Sequence, residues 1–95
     1  MTAGPALAAR VRFAESVRVR LGPERGFLFD QRTGRVFSLN ATGALAAARI
    51  RDQAPAPEVI AAVVEAFDVD AATAGQDFTR FVAHLVEEGL AESDG

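Results

Sequence analysis

The chain has no cysteine, tryptophan, tyrosine or lysine, and one histidine among its 95 residues. Without cysteine there is no disulfide and no thiolate metal site. His84 has no second imidazole to share a metal. Its helical neighbours at i−4 and i+4 are Arg80 and Glu88, which reads as a surface triad of charges. No apolar run reaches the roughly 18 residues of a membrane helix. Met1 to Ala9 is small and apolar but too short for a signal peptide, and it lacks the basic start of one, so a cytoplasmic setting is expected. The glycines never fall into a phosphate-binding loop. Ser16 and Ser38 sit in or beside strands, not in a nucleophile elbow. The pairs Asp68/Asp70 and Glu87/Glu88 read as helix-end and solvent-face carboxylates, whereas acid–base work needs them in a cleft with shifted pKa values. A non-enzyme with no cofactor is expected.

All ten strongly basic residues are arginine. Beside twenty alanines, that bias reads as genomic base composition. The charges are unevenly placed. Residues 1–51 hold nine Arg and three acids, a net +6, and residues 52–95 hold one Arg and ten acids, a net −9. The split predicts one basic and one acidic face. The overall charge of −3 offers no general attraction to nucleic acid or anionic membrane.

The length predicts one domain with a modest core. Within it, Gly26 to Asn40, GFLFDQRTGRVFSLN, is the most informative stretch. Phe27-Leu28-Phe29 and Arg35-Val36-Phe37-Ser38-Leu39 flank the polar loop Gln31-Arg32-Thr33-Gly34, which is a hairpin signal. Upstream, Val17, Val19 and Leu21 alternate with Arg18 and Arg20, the pattern of a half-buried strand that Val11 and Phe13 would extend. In the last strand Arg35, Phe37 and Leu39 share one face, and Val36 and Ser38 the other. Phe37 and Leu39 are expected in the core, with the ligand-facing side left open.

Asn40 is placed to cap a first helix, Ala41 to Arg51. This helix is alanine-rich, with Leu45 and Ile50 its only large apolar residues. Gly43 costs it about 1 kcal/mol relative to Ala, so weak anchoring is expected. Pro57 and Glu58 open a second helix with the stripe Val59, Ile60, Val63, Val64 and Phe67. Asp70 caps a third helix, Ala71 to Glu88, with the stripe Phe78, Phe81, Val82, Leu85 and Val86. Gly89 is its left-handed cap and Leu90 folds back. The predicted core is Val59, Ile60, Val63, Phe67, Phe78, Val82 and Leu85. Residues 1–10 are expected to be flexible, 11–91 to form the domain, and 92–95 to be a fraying tail that begins to loosen at Ala91.

The fold class is therefore α+β, a ribbon followed by three helices, similar to a winged helix-turn-helix. In that architecture the last helix reads a major groove. Here it carries Asp77, Glu87 and Glu88 against Arg80 alone, which a phosphate backbone would repel. A DNA-binding regulator and a purely structural or oligomerising domain stand as the alternatives to a peptide-binding module. A sheet edge beside a helix groove suits the last of these.

The runs FDQRTGRVFSLNATG, PEVIAAVVEAFDVD and DFTRFVAHLVEEGL resemble the PqqD family, small peptide chaperones counted among the recognition elements for ribosomally made, post-translationally modified peptides. The resemblance spans roughly Val17 to Ala91. Its most specific parts are Asp30…Thr33-Gly34…Phe37-Ser38-Leu39-Asn40-Ala41-Thr42-Gly43 and Asp77-Phe78…Phe81…Leu85…Gly89-Leu90. It implies a three-stranded antiparallel sheet packed on three helices. It also implies that a precursor peptide's leader is held as an added strand along Arg35, Val36, Phe37, Ser38 and Leu39, with the third helix as the opposite wall. The peptide would then be presented to a modifying enzyme, often a radical S-adenosylmethionine (SAM) protein. On that wall Asp77, Arg80, Phe81 and His84 are the candidate lining residues. Self-pairing through the same edge would give a homodimer. The chain departs from the family in carrying Ala46-Ala47 where a bulky pair is usual and Asp52-Gln53 where a tight Asp-Gly is usual. It also has Asp30 to Gly34 where members of the quinone pathway carry Pro-Glu.

Overall fold

The structure, a computed structural model, describes residues 10–93. Its elements run β1 (Val11–Phe13), β2 (Val17–Leu21), β3 (Gly26–Asp30), β4 (Arg35–Leu39), α1 (Ala41–Arg51), α2 (Ala56–Phe67), α3 (Ala71–Glu87) and β5 (Ala91–Ser93). β2, β3 and β4 pair antiparallel in that order, and the three helices follow, as expected. Among the described residues no helix is long and apolar enough to cross a membrane.

Alternation along the strands sorts the sheet into two faces. Three cross-strand rows face the helices: Val17–Asp30–Arg35, Val19–Leu28–Phe37 and Leu21–Gly26–Leu39. Leu28 and Leu39 are buried and Phe37 is half-buried. Gly26 has a steric reason. A Cβ there would stand 3.0 Å from the Arg20 carbonyl oxygen and 3.4 Å from the Cβ of Ala44 in α1. Bare backbone lets α1 lie close on the sheet. Two rows face away: Arg18–Phe29–Val36 and Arg20–Phe27–Ser38.

Asp30 holds the β3–β4 turn and is only 2% exposed. Its carboxylate accepts from Ser16 Oγ (2.9 Å), the Arg32 backbone N–H (3.0 Å) and Thr33 Oγ1 (3.1 Å). Burial pushes its pKa up, but these three bonds and the Arg32 guanidinium outweigh that and leave it below the usual value. Gly34 closes the loop at φ 78°.

The helix caps form as the residue types dictate. Asn40 Oδ1 accepts from Gly43 N–H at 2.8 Å, and Asp70 Oδ1 accepts from Thr73 N–H at 2.7 Å. α3 ends with Gly89 at φ 75°, its N–H bonded to Val86 C=O, while Leu90 N–H reaches back to Leu85 C=O. That is the Schellman closure.

Four expectations are corrected. The fraying tail is, over Ala91–Ser93, the strand β5. It pairs antiparallel with β1, with Val11 opposite Ser93 and Phe13 opposite Ala91. Val11 and Phe13 thus belong to that ribbon rather than to β2, because the buried Leu90 and Ala91 carry the chain back beside them. Residues 1–9 and 94–95 lie outside the described residues. Phe67 is 37% exposed. It is the last residue of α2, where Asp68 turns left-handed (φ 52°) and the helix stops. Val86 is also exposed, at the flank of the stripe formed by the buried Ala74, Phe78, Val82 and Leu85. The helix expected to be weakly anchored, α1, has neighbours on several sides. It packs on α2, β1, β2, β3 and β4 and buries Ala44, Ala46, Ala47 and Ile50.

Candidate peptide-binding groove

β4 is an edge strand. Which of its backbone groups are free follows from hydrogen-bond parity. Gln31 N–H bonds to Ser16 C=O and Gly22 N–H to Arg25 C=O, so the odd-numbered residues of β3 point their backbone toward β2. The even-numbered residues Gly26, Leu28 and Asp30 then bond to Leu39, Phe37 and Arg35. Val36 and Ser38 are left with N–H and C=O directed at the open edge. An extended peptide can pair there without disturbing the β3–β4 ladder.

α3 packs on α2 and β5, and a groove stays open between it and β4. One part, about 270 Å³, is lined by Leu28, Phe37, Ser38, Leu39, Asn40, Gly43, Phe81, His84, Leu85 and Leu90. A second part, about 520 Å³, lies between α1 and α3 and is lined by Asn40, Thr42, Gly43, Ala46, Val63, Ala74, Asp77, Phe78, Arg80, Phe81 and His84. Asn40, Gly43, Phe81 and His84 line both, so the two parts adjoin along one groove. Most of the lining is aliphatic, aromatic or glycine, and its polar residues include Asn40, Thr42, Asp77, Arg80 and His84.

The structure brings together most of the residues singled out from the sequence, with different parts to play. Leu39 is floor and Phe37 a half-buried wall. Val36 and Ser38 offer backbone at the edge, while their side chains lie on the outward face. Arg35 is engaged. Its Nη1 lies 3.0 Å from Glu88 Oε1 and its guanidinium stands 4.7 Å over the Phe37 ring. It ties the start of β4 to the end of α3. Phe81 and His84 line the central part. Asp77 and Arg80 pair with each other on the rim of the wider part.

The sequence reading missed the α1 wall: Thr42, Gly43 and Ala46, with Ala74 and Phe78 facing them. The signal was present as small residues at i, i+1 and i+4 on one face of α1. In the sequence alone such a run looks like loose packing rather than the side of a groove. Among the described residues no group of three His, Cys, Asp or Glu is placed to hold a metal.

Two solved structures share this architecture. "TbiB1 in Complex with the TbiA(beta) Leader Peptide" superposes with a TM-score of 0.79 at 22% identity, over 85% of this chain and 94% of that one. "Lasso peptide synthetase B1 complexed with the leader peptide" gives 0.77 at 26% identity, over 87% and 98%. No curated protein matches the sequence. The family described as Coenzyme PQQ synthesis protein D (PqqD) matches residues 25–91, a span that holds β3, β4, all three helices and the Gly89–Leu90 closure. By that match the chain belongs to the PqqD family.

Proposed function

We propose that the chain is a non-catalytic chaperone that holds the leader segment of a ribosomally made precursor peptide and presents it to a modifying enzyme, a radical SAM protein or another peptide-tailoring enzyme, in the cytoplasm. The observation that carries this reading is the free edge of β4 beside an apolar channel. Backbone pairing at Val36 and Ser38 supplies affinity, and the pockets of the channel select alternate side chains. Support comes from two solved relatives of the same fold, both leader-peptide complexes by their descriptions. Arg35, Val36, Phe37, Ser38 and Leu39 form one wall, and Asp77, Arg80, Phe81 and His84 the other.

The test is a titration of short precursor peptides drawn from the gene's neighbourhood into isotope-labelled protein. Amide shifts should concentrate on β4 and α3. Ser38→Pro removes an edge-facing N–H but no bond of the β3–β4 ladder, so the fold should survive while peptide affinity falls at least tenfold. Ser38→Ala should bind like the wild type. Shifts confined to α2, or a folded Ser38→Pro variant with unchanged affinity, would refute the groove.

A further inference from the structure

The sheet has a second face that the groove does not use. Five large apolar residues are exposed among the described residues, and three of them, Phe27 (38%), Phe29 (37%) and Val36 (61%), are neighbours on the outward face. Phe29 stands between Arg18 and Val36, and Phe27 between Arg20 and Ser38. Arg18 donates to the backbone carbonyls of Glu15 (3.0 Å) and Val17 (3.4 Å), and neither Arg18 nor Arg20 has a carboxylate partner among the described residues. An apolar centre of aromatic rings with guanidiniums at its margin has the composition of an interface core.

We propose that this outward face docks a second protein through an apolar patch rimmed by carboxylates, and that this protein is the enzyme acting on the held peptide. The partner's identity rests on the chaperone reading above. Charge selects the occupant. The two outward rows carry two arginines and no acid, so a second copy laid face to face would bring four guanidiniums together unneutralised.

Geometry adds a second argument. Val36 directs its N–H and C=O at the open edge, so a strand added there sets one residue directly opposite it. The alternation that turns Val36 outward turns that residue outward too. The row Arg18–Phe29–Val36 would then run on into the peptide. A protein seated on this face touches chaperone and peptide together and binds the loaded form better than the empty one. By linkage, it tightens peptide binding by the same factor.

The test uses this chain, the same precursor peptides and a purified peptide-modifying enzyme from the same gene neighbourhood. Enzyme affinity is measured by calorimetry with and without peptide, for the wild type, the double variant Arg18→Glu/Arg20→Glu, and Phe29→Thr. The wild type should bind the enzyme at least tenfold more tightly when loaded. Both variants should lose at least tenfold in enzyme affinity while keeping peptide affinity and melting temperature. Unchanged enzyme affinity in the variants overturns the proposal, as does absence of enzyme binding by loaded wild type. Face-dependent self-association that charge reversal abolishes overturns it in favour of a second copy. The peptide titration is read separately: if the peptide fails to bind, the chaperone reading falls, and loss of enzyme binding on charge reversal would still uphold the face as a docking site.

Discussion

Helices α1 and α3 begin and end alike but are held along their sides by different means. Each starts at a side-chain cap, Asn40 or Asp70. Each ends in a Schellman closure: Gln53 N–H to Ile50 C=O and Ala54 N–H to Arg49 C=O in α1, with the matching pair at Gly89 and Leu90 in α3. Between those ends α3 buries large side chains, Phe78, Val82 and Leu85, while α1 buries Ala44, Ala46, Ala47 and Ile50. Bulk anchors α3. Proximity anchors α1, whose small face lets five neighbouring elements come close, helped by the bare backbone of Gly26. Alanine content alone does not measure how firmly a helix is held. Close approach recovers dispersion contacts that a short side chain cannot reach for itself.

The largest expected effect is at the bulk-anchored helix. Phe78→Ala should cost about 3–5 kcal/mol in urea unfolding, because the ring is 5% exposed and its removal leaves a cavity. A loss under about 1 kcal/mol would show that α3 does not depend on its large residues. In α1 the damaging change runs the other way. Ala47→Leu, at a site with no exposure, should overpack the helix against its neighbours and cost about 1–3 kcal/mol. Ala46→Leu should cost less, since Ala46 lines the channel and a longer side chain can extend into it, and it should weaken peptide binding. Equal costs at the two alanines would break the distinction between the packed side of α1 and its groove side.

The helix ends sharpen the comparison. Gln53 takes the left-handed conformation at φ 67°, where α3 has Gly89 at 75°. A side chain in that region costs about 1–2 kcal/mol, part of which glycine gives back as unfolded-state entropy. Gln53→Gly should therefore stabilise the protein by about 0.5–1 kcal/mol, seen as a raised melting temperature. An unchanged or lowered melting temperature would mean that the Gln53 side chain makes a compensating contact.

The smallest effect separates the two caps by pH. The bond from the Thr73 backbone N–H, aided by the Thr73 hydroxyl, holds the Asp70 carboxyl below its usual value. A lowered folded-state pKa adds stability above the unfolded value, and that stability is lost as pH falls through the folded one. The Asn40 cap does not titrate. Acid should loosen the first turn of α3 before that of α1. The stability gap between wild type and Asp70→Asn should narrow below about pH 4. A gap constant across that range would remove Asp70 from the acid response.

Much of this was legible in the sequence because local chemistry decides it. Period-2 runs set β2, β3 and β4, and Asn40, Asp70 and Gly89 set helix ends that formed as read. The parts not legible depend on partners distant in the chain. β5 exists only because Val11–Phe13 lies beside Ala91–Ser93, and three-residue strands have no period to detect. The α1 wall of the groove was hidden because Ala46 reads the same whether it faces a void, a neighbour or a ligand. Phe67 fitted the helical phase but stands where α2 stops, which periodicity does not register.

The β1–β5 ribbon has a mechanical consequence. Val11 and Ser93 are opposite rungs, so a pull on the two ends of the described chain loads the ribbon one rung at a time, as a zipper, instead of shearing all its bonds at once. Past the three paired rungs the next bond is Ala14 N–H to Leu90 C=O, and Leu90 is a fully buried part of the groove floor. Tension at the termini would thus travel through a weak latch into the floor under the peptide, so a tether at either end would act on the grip of the groove.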